Sequence, residues 1–288
     1  GIGKTSLSIK LATHFQTEII SADSRQFFKE IPIGTAAPSE AEQKAVPHHF
    51  IHHKSITEPY SVGDFEREAI NCIATIHKQK PMVVMVGGSG LYVQAVIDGL
   101  DYFPDVNQSV REELNSHLKS KGLSSLQKEL KDQDPNAYAM MDVENPHRVI
   151  RALEICRGTG KPYSSFLGKE KNKRQFKTIQ IGLTAERSVV YERINQRVDE
   201  MMANGLLEEV KSVVQHRQLN ALNTVGYKEL FRFLDGNCTL EFAIEEIKKN
   251  SRRFAKRQFT WFQKQNLIKW FDHNTPLEEI IFYIKSAL

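Results

Sequence analysis

The first five residues, Gly1-Ile2-Gly3-Lys4-Thr5, constrain the fold more than any other stretch of the chain. They match the second half of the pattern G-x-x-x-x-G-K-[ST], in which backbone N–H groups surround a phosphate, the lysine contacts the outer phosphates and the hydroxyl residue binds Mg²⁺. An amphipathic run from Ser6 to Leu11 follows, as expected for the helix after such a loop. We expect the first glycine of the motif and its buried strand to precede residue 1. A frayed terminus is the alternative, because short Gly-Lys-Thr runs also arise by chance.

Length and composition predict a globular protein of one large domain or two small ones. The 288 residues are 40% apolar, which is enough to bury a sizeable core. No apolar run reaches the roughly 18 residues of a membrane-spanning helix. The three cysteines, Cys72, Cys156 and Cys238, are far apart and lack C-x-x-C spacing. This spacing favours reduced thiols and a cytoplasmic protein.

Two apolar runs predict strands that end at candidate site residues. The run from 17 to 21 leads to Asp23, and the run from 82 to 86, which reads as a buried strand, leads to Gly87-Gly88-Ser89-Gly90. Open parallel sheets bind ligands at the carboxyl ends of their strands, so Asp23 is a site candidate; alternatively, it caps a turn or the next helix. The glycines favour close approach of the backbone to a ligand, because their spacing does not match G-x-G-x-x-G.

Residues 31–63 are rich in proline, histidine and polar side chains and show little periodicity, which predicts loops around the site. The histidines between Pro47 and Lys54 suggest a metal cluster at first. No cysteine or carboxylate completes a spaced ligand set, however, so we predict ordinary polar packing for them. Asp64 then begins a helix with an apolar stripe.

The middle of the chain, from 105 to 168, is charged and helical in pattern and offers no strand to a parallel sheet. Asn145-Pro146 is a helix start signal, with a capping residue followed by proline at the first helical position. In the helix that follows, Arg148 and Arg151 share a face that could hold a phosphate backbone. The alternative is a solvated face.

The rest of the sequence predicts further strands and helices of the α/β core. We expect a strand from 178 to 183, a helix from 186 to 205 that carries Arg197, a long helix from 240 to 265, and a last strand from 267 to 271. The long helix bears a basic run without interspersed acidic residues, which favours binding of a polyanion. Its members are Lys248, Lys249, Arg252, Arg253, Lys256, Arg257 and Lys264.

Taken together, these motifs make the chain resemble the tRNA dimethylallyltransferase (tRNA isopentenyltransferase) family over almost its whole length. The resemblance is carried by residues 1–5, 23–28, 33–38, 47–49, 60–65, 87–92, 145–154, 225–229 and 255–261. The chain departs from the family pattern at Phe28, Ala37 and Ser89, where tyrosine, lysine and threonine are more usual. Ala37 removes an expected positive charge, whereas Ser89 keeps the hydroxyl.

The resemblance implies transfer of a dimethylallyl group from its diphosphate to N6 of the adenosine beside the tRNA anticodon. It implies that Asp23 accepts a proton or hydrogen bond from N6, that Thr5 meets Mg²⁺ or a phosphate oxygen, and that Arg197 binds diphosphate. The implied diphosphate-binding residues are Gly1, Gly3, Lys4, Thr5, Ser6 and Arg197. The implied tRNA-binding residues are Asp23, Ser24, Arg25, Gln26, Ser89, Arg111, His147, Arg148, Val149, Ile150, Arg151, Arg252, Arg253, Lys256 and Arg257.

The implied architecture is an α/β, P-loop NTPase-like core with a parallel sheet flanked by helices, plus an inserted all-helical domain. The core spans 1–104 and 169–288, and the insertion, 105–168, contacts tRNA. Mg²⁺, dimethylallyl diphosphate and the anticodon stem-loop are the expected ligands of a cytoplasmic monomer that does not bind membranes. The alternatives are a P-loop small-molecule kinase, an adenylate isopentenyltransferase, and an RNA-binding module on a degenerate NTPase scaffold.

Overall fold

The computed structural model describes residues 2–168 and 173–288, and the chain divides into two compact units. The core unit consists of Gly1–Ile97 with Gln175–Leu288, and the helical unit is Asp98–Arg174. The helical unit extends beyond the predicted bounds of 105 and 168 at both ends. One reason is Phe103, whose ring stacks on Tyr163 with 5.0 Å between the ring centroids.

The first half of the core unit alternates helices and short strands. Its elements are α1 (Lys4–His14), β1 (Ile19–Ser21), α2 (Glu40–Ala45), β2 (His48–His49), α3 (Val62–Ile76), β3 (Val84–Val86) and α4 (Gly90–Asp98). The second half is mostly helical. Its elements are β4 (Gln180–Thr184), α9 (Arg187–Ala203), α10 (Leu206–Ser212), 3₁₀ turns at Val214–His216 and Asn220–Leu222, α11 (Tyr227–Leu234), α12 (Leu240–Gln263), β5 (Ile268–Asp272) and α13 (Leu277–Ala287).

In the described part of the chain the paired strands are all parallel, as predicted, but they form two sheets. The first has the order β2-β1-β3, and β4 pairs with β5 in the second. In the first sheet β1 is central, and Ile19 and Ile20 are fully buried. Residues Val84–Val86 are only half-buried, contrary to the prediction of a buried strand, because β3 is an edge strand of its sheet.

The predicted loop region, 31–63, contains two elements that its composition conceals. Strand β2 is only two residues long, too short to show alternation, and pairs Ile19 with His48. Helix α2 begins after Ser39, whose hydroxyl accepts from the Glu42 N–H while the Glu42 carboxylate accepts from the Ser39 N–H. This Ser-x-x-Glu capping box is a sequence signal for a helix start that the prediction missed.

Every regular element in the described part of the helical unit is a helix, as predicted. The elements are α5 (Gln108–Lys121), α6 (Leu123–Gln133), α7 (Pro135–Met140), α8 (Pro146–Thr159) and a 3₁₀ turn at Tyr163–Phe166. Helix α8 starts at the predicted signal, since the Asn145 side chain accepts from the His147 N–H at 3.0 Å. Its apolar face packs against Leu114 of α5 and Leu126 and Leu130 of α6.

Among residues 2–168 and 173–288, no helix is both long enough and apolar enough to span a membrane.

Candidate functional site

The amino end of α1 presents the residues of the predicted phosphate loop. Gly3 caps the helix with φ of 92°, a left-handed conformation that favours glycine, and the helix begins at Lys4. Lys4, Thr5 and Ser6 therefore occupy the first turn, where backbone N–H groups lack partners within the helix and attract anions. Gly1, also predicted to bind phosphate, lies outside the described residues.

Two charged side chains predicted for the site, those of Asp23 and Arg197, act on a third, that of Lys4. Burial lowers the pKa of Lys4 below its usual 10.5, the negative charge of Asp23 opposes this shift, and the positive charge of Arg197 adds to it. Asp23 and Arg197 are thus both within electrostatic range of Lys4, although the three residues come from the turn after β1, from α9 and from α1. A carboxylate and a second basic side chain thus act on the lysine in the first turn of α1.

Asp23 lies in the turn that follows β1. Its Oδ1 atom accepts a hydrogen bond from the backbone N–H of Arg25 at 3.0 Å, so Asp23 does cap a turn. That bond fixes the carboxylate at the carboxyl end of the sheet and engages one of its two oxygen atoms. Capping and a chemical role are therefore compatible. Burial also lowers the pKa of Arg25, and the negative charge of Asp23 opposes that shift.

The glycine turn after β3 packs directly against the Asp23 turn. The backbone N–H of Ser24 donates to Ser89 Oγ at 3.0 Å, and the two hydroxyl groups are 3.1 Å apart. Helix α12 covers the same turn, because Gln258 Nε2 donates to the Gly88 carbonyl at 2.9 Å. The glycines permit this approach, as a Cβ atom on Gly90 would lie 2.2 Å from Trp261 Nε1.

The side chain of Gln26, predicted to contact tRNA, forms bonds within the protein. Its Nε2 donates to the carbonyls of Thr35 and Ala36 at 3.3 and 3.2 Å, and its Oε1 accepts from Ser21 Oγ at 3.0 Å. Gln26 thereby ties the loop at 33–36 to the carboxyl end of β1.

Glu209 also fixes this loop, although its sequence context does not mark it as a site residue. Its carboxylate accepts from the backbone N–H groups of Ile33 and Gly34 at 2.7 and 2.8 Å and from the hydroxyl of buried Tyr227. The only sequence signal was the motif at 225–229, to which no role was assigned.

Helix α12 presents part of its basic run to solvent. Arg253, Lys256 and Arg257 are exposed, as are Phe254 and Trp261. Lys248 and Lys249, by contrast, form ion pairs, Lys248 with Asp199 and Glu245 and Lys249 with Glu246. Acidic residues outside the run thus neutralise its first turn.

Arg252 links α12 to α9. Its Nη1 donates to Asn195 Oδ1 at 2.6 Å, and its guanidinium lies over the Tyr191 ring, 5.8 Å from the ring centroid. Arg252 therefore has a packing role in addition to its charge.

In the helical unit, the predicted tRNA-binding residues divide into exposed and buried groups. His147 and Arg148 are exposed, and Arg111 and Arg151 both donate to Glu154. Val149 and Ile150 are 0% and 2% exposed and lie in the core of this unit. The predicted contact of these two residues with tRNA has no support from their side chains, which pack against the neighbouring helices.

Within the described residues, no three His, Cys, Asp or Glu side chains are grouped in a way that could hold a metal ion. His53, from the histidine-rich segment, is surrounded edge-on by the rings of Phe27, Phe50 and Tyr60. In the phosphate loop, the Thr5 hydroxyl is a donor that suits a hard cation. A single hydroxyl fits Mg²⁺, which usually takes one or two protein ligands and completes its shell with phosphate oxygens and water.

Comparisons with known proteins identify the family of the chain. A model of the IPP transferase family matches residues 26–265. The tRNA dimethylallyltransferase of Christiangramia forsetii is 58% identical over 287 residues, which covers 100% of this chain and 95% of that protein. The corresponding enzyme of Flavobacterium johnsoniae is 53% identical over 293 residues, with the same coverage.

Two solved structures are similar over the whole of this chain. The tRNA isopentenylpyrophosphate transferase of Bacillus halodurans superimposes with a TM-score of 0.71 at 40% identity, and 92% of that chain is covered. A eukaryotic dimethylallyltransferase acting on tRNA gives a TM-score of 0.81 at 27% identity, with 76% of that chain covered. The family match spans most of the sequence and the relatives match it from end to end, so the chain belongs to the IPP transferase family.

Proposed function

We propose that this protein transfers a dimethylallyl group from dimethylallyl diphosphate to N6 of the adenosine adjacent to the anticodon of tRNA, with release of diphosphate. The observation that carries the proposal is that Lys4, in the first turn of α1, lies within electrostatic range of both Asp23 and Arg197. Anion-binding groups and a base are the two components that this reaction needs. Membership of the IPP transferase family supports the same chemistry.

The first component stabilises the leaving group. As the allylic C–O bond breaks, negative charge grows on the diphosphate, where the N–H groups of α1, the side chains of Lys4 and Ser6, and Arg197 would bind it. Preorganised groups of this kind are typically worth about 3 kcal/mol each when removed singly. Thr5 would hold Mg²⁺ against a phosphate oxygen, and the ion would supply additional positive charge to the leaving group.

The second component is Asp23. Its carboxylate would accept a hydrogen bond from the N6 amine and so direct the nitrogen lone pair at the allylic carbon. When the N6–C bond has formed, the proton from N6 passes to this carboxylate and then to solvent. A positioned base typically contributes roughly 10² to 10⁴ in rate.

Recognition of tRNA would be divided between the two units. Reaction at N6 requires the adenosine to leave its stack, and Ser24, Arg25 and Ser89 surround the turn that would receive it. Gln26 would act by holding the 33–36 loop. Phosphates would be bound by basic groups, namely Arg111, His147, Arg148 and Arg151 of the helical unit and Arg252, Arg253, Lys256 and Arg257 of α12. We further propose a cytoplasmic monomer.

The test is incubation with unmodified tRNA and dimethylallyl diphosphate, followed by mass spectrometry of the tRNA nucleosides. The expected product is isopentenyladenosine, and its absence would contradict the proposal. Labelled ATP in a parallel reaction examines the kinase alternative, which predicts phosphate transfer without prenyl transfer. Free AMP as acceptor examines the adenylate isopentenyltransferase alternative, which predicts prenylation of AMP in preference to tRNA.

A further inference from the structure

A buried carboxylate joins two arginines in the helical unit. Glu154 lies on α8 with 8% of its side chain exposed. Its Oε2 atom accepts from Nη1 of Arg111 at 3.0 Å and from Nη1 of Arg151 at 2.8 Å. Arg151 is one turn away on the same helix, whereas Arg111 comes from α5. The two guanidinium groups therefore meet at a single oxygen atom.

Both arginines remain open to solvent beyond this contact. The side chain of Arg111 is 44% exposed and that of Arg151 is 43% exposed. A guanidinium carries five N–H donors, so each arginine retains donors for another anion after it has bonded to Glu154. The guanidinium of Arg151 also rests over the Phe103 ring, 5.3 Å from the centroid, and Phe103 stacks on Tyr163. The aromatic support restricts where Arg151 can point.

The charge balance makes the arrangement suited to a phosphate. Two guanidinium groups repel each other, and the Glu154 carboxylate offsets that repulsion while leaving the group of three with a net positive charge. Arginine forks bind phosphate through paired N–H···O bonds, and a pair held in place in advance loses less conformational entropy on binding. A surface arginine pair without such a carboxylate would separate.

We propose that Glu154 is a positioning residue, which holds Arg111 and Arg151 together as a clamp on one phosphate group of the tRNA backbone. The clamp rests on the proposed function, since it takes tRNA as the ligand. It adds a role for an acidic residue in binding a polyanion, which the charge alone would not suggest.

The change Glu154→Gln separates positioning from simple electrostatics, because the two predict opposite signs. Glutamine keeps the size of the side chain but removes a negative charge, so charge counting predicts tighter binding of tRNA. If Glu154 positions the clamp, the arginines separate and binding weakens by about tenfold, on the order of one lost charge-assisted hydrogen bond. The KM for tRNA rises accordingly, whereas kcat at saturating tRNA and the KM for dimethylallyl diphosphate stay within about twofold of their original values.

The matched control is Glu129→Gln in the same unit. Glu129 on α6 accepts from Nε and Nη2 of Arg157, both at 2.7 Å, so the substitution removes the same charge from another, partly buried ion pair. We expect its affinity for tRNA to change by less than about twofold. Thermal unfolding of both variants reports any loss of structure, which should be similar in the two.

A double-mutant cycle of Glu154→Gln and Arg151→Gln completes the test. If the carboxylate acts through Arg151, the effect of Glu154→Gln on tRNA affinity shrinks when Arg151 is absent. Any of three outcomes would overturn the clamp. These are additive effects in the cycle, unchanged or tighter tRNA binding by Glu154→Gln, and equal weakening of tRNA binding by Glu129→Gln. If the unaltered protein binds tRNA but transfers no prenyl group, the proposed function fails while the affinity series still judges the clamp; if it does not bind tRNA, both fail.

Discussion

Gly87 and Ala22 meet through their backbones at the carboxyl ends of β3 and β1. A Cβ atom on Gly87 would lie 2.2 Å from the carbonyl oxygen of Ala22, and this neighbour is backbone that cannot rotate away. The contact sets the distance between the glycine turn and the turn that carries Asp23.

The first prediction is that Gly87→Ala forces these two turns apart. We expect a loss of about 1 to 3 kcal/mol in the free energy of unfolding, the usual cost of inserting a methyl group where no space exists. Urea unfolding measures this loss. The control is Gly63→Ala in α3, where the nearest atom to an added Cβ is 3.7 Å away, so no destabilisation is expected. Equal stability of the two variants would contradict the prediction.

The long, strongly patterned elements could be predicted from the sequence. Helix α9 was expected from 186 to 205 and runs from Arg187 to Ala203, and α12 was expected from 240 to 265 and ends at Gln263. In such helices the apolar period repeats over several turns, and caps mark the ends. Strand β2 could not be predicted, because a strand of two residues carries no period.

Contacts in the candidate site between residues far apart in the sequence could not be predicted either. Lys4, Thr5 and Asp23 belong to short motifs and could be named in advance. Glu209 could not, since it binds the backbone of Ile33, 176 residues away, and a backbone N–H leaves no trace in the sequence. Burial of Ile150 next to the exposed Arg148 likewise depends on which face of α8 meets its neighbours.

The second prediction concerns Asp23 as the base. Asp23→Asn retains an oxygen that can accept from the Arg25 N–H, so the turn should persist. Removal of the carboxylate should lower the rate of prenyl transfer by roughly 10² to 10⁴ while tRNA affinity changes only a few-fold. Single-turnover measurements with saturating tRNA test this expectation. An unchanged rate would remove Asp23 from the catalytic role.

The third prediction is a pH dependence of donor binding. Protonated Lys4 attracts diphosphate, so affinity for dimethylallyl diphosphate should fall as the pH rises through the pKa of Lys4, which burial lowers from its usual 10.5. Asp23 raises this pKa and Arg197 lowers it. The fall should therefore move to lower pH in Asp23→Asn and to higher pH in Arg197→Gln. Dissociation constants across a pH series measure both shifts, and movement of both variants in one direction would refute the electrostatic coupling.

The fourth prediction distinguishes exposed from paired charges on α12. Lys256→Gln removes an exposed charge, so the slope of log affinity for tRNA against log salt should become shallower by about 0.7 to 0.9, the value of one phosphate contact. Lys249→Gln makes the same substitution two turns earlier on the same face of the helix, where Lys249 already pairs with Glu246 at 2.7 Å. Its slope should change less. Identical slopes for the two variants and the unaltered protein would show that Lys256 contacts no phosphate and that this face of α12 is simply solvated.

The last prediction tests the support of the 33–36 loop. Burial and the nearby Glu209 raise the pKa of Tyr227, so its hydroxyl stays protonated and donates to the Glu209 carboxylate. Glu209→Ala leaves this hydroxyl and the N–H groups of Ile33 and Gly34 without their acceptor, which should cost about 3 kcal/mol of stability. Because Gln26 bonds to the same loop, prenyl transfer should fall as well.

The neighbouring Glu208 provides the control for this change. It is 72% exposed and pairs with Lys211 one turn away, an ion pair of the surface type that contributes at most about 1 kcal/mol. Glu208→Ala should therefore unfold in urea at nearly the same midpoint as the unaltered protein and retain its turnover. If Glu209→Ala behaved in the same way, the loop would be held by its own turns and by Gln26 alone, and the carboxylate would have no part in shaping the site.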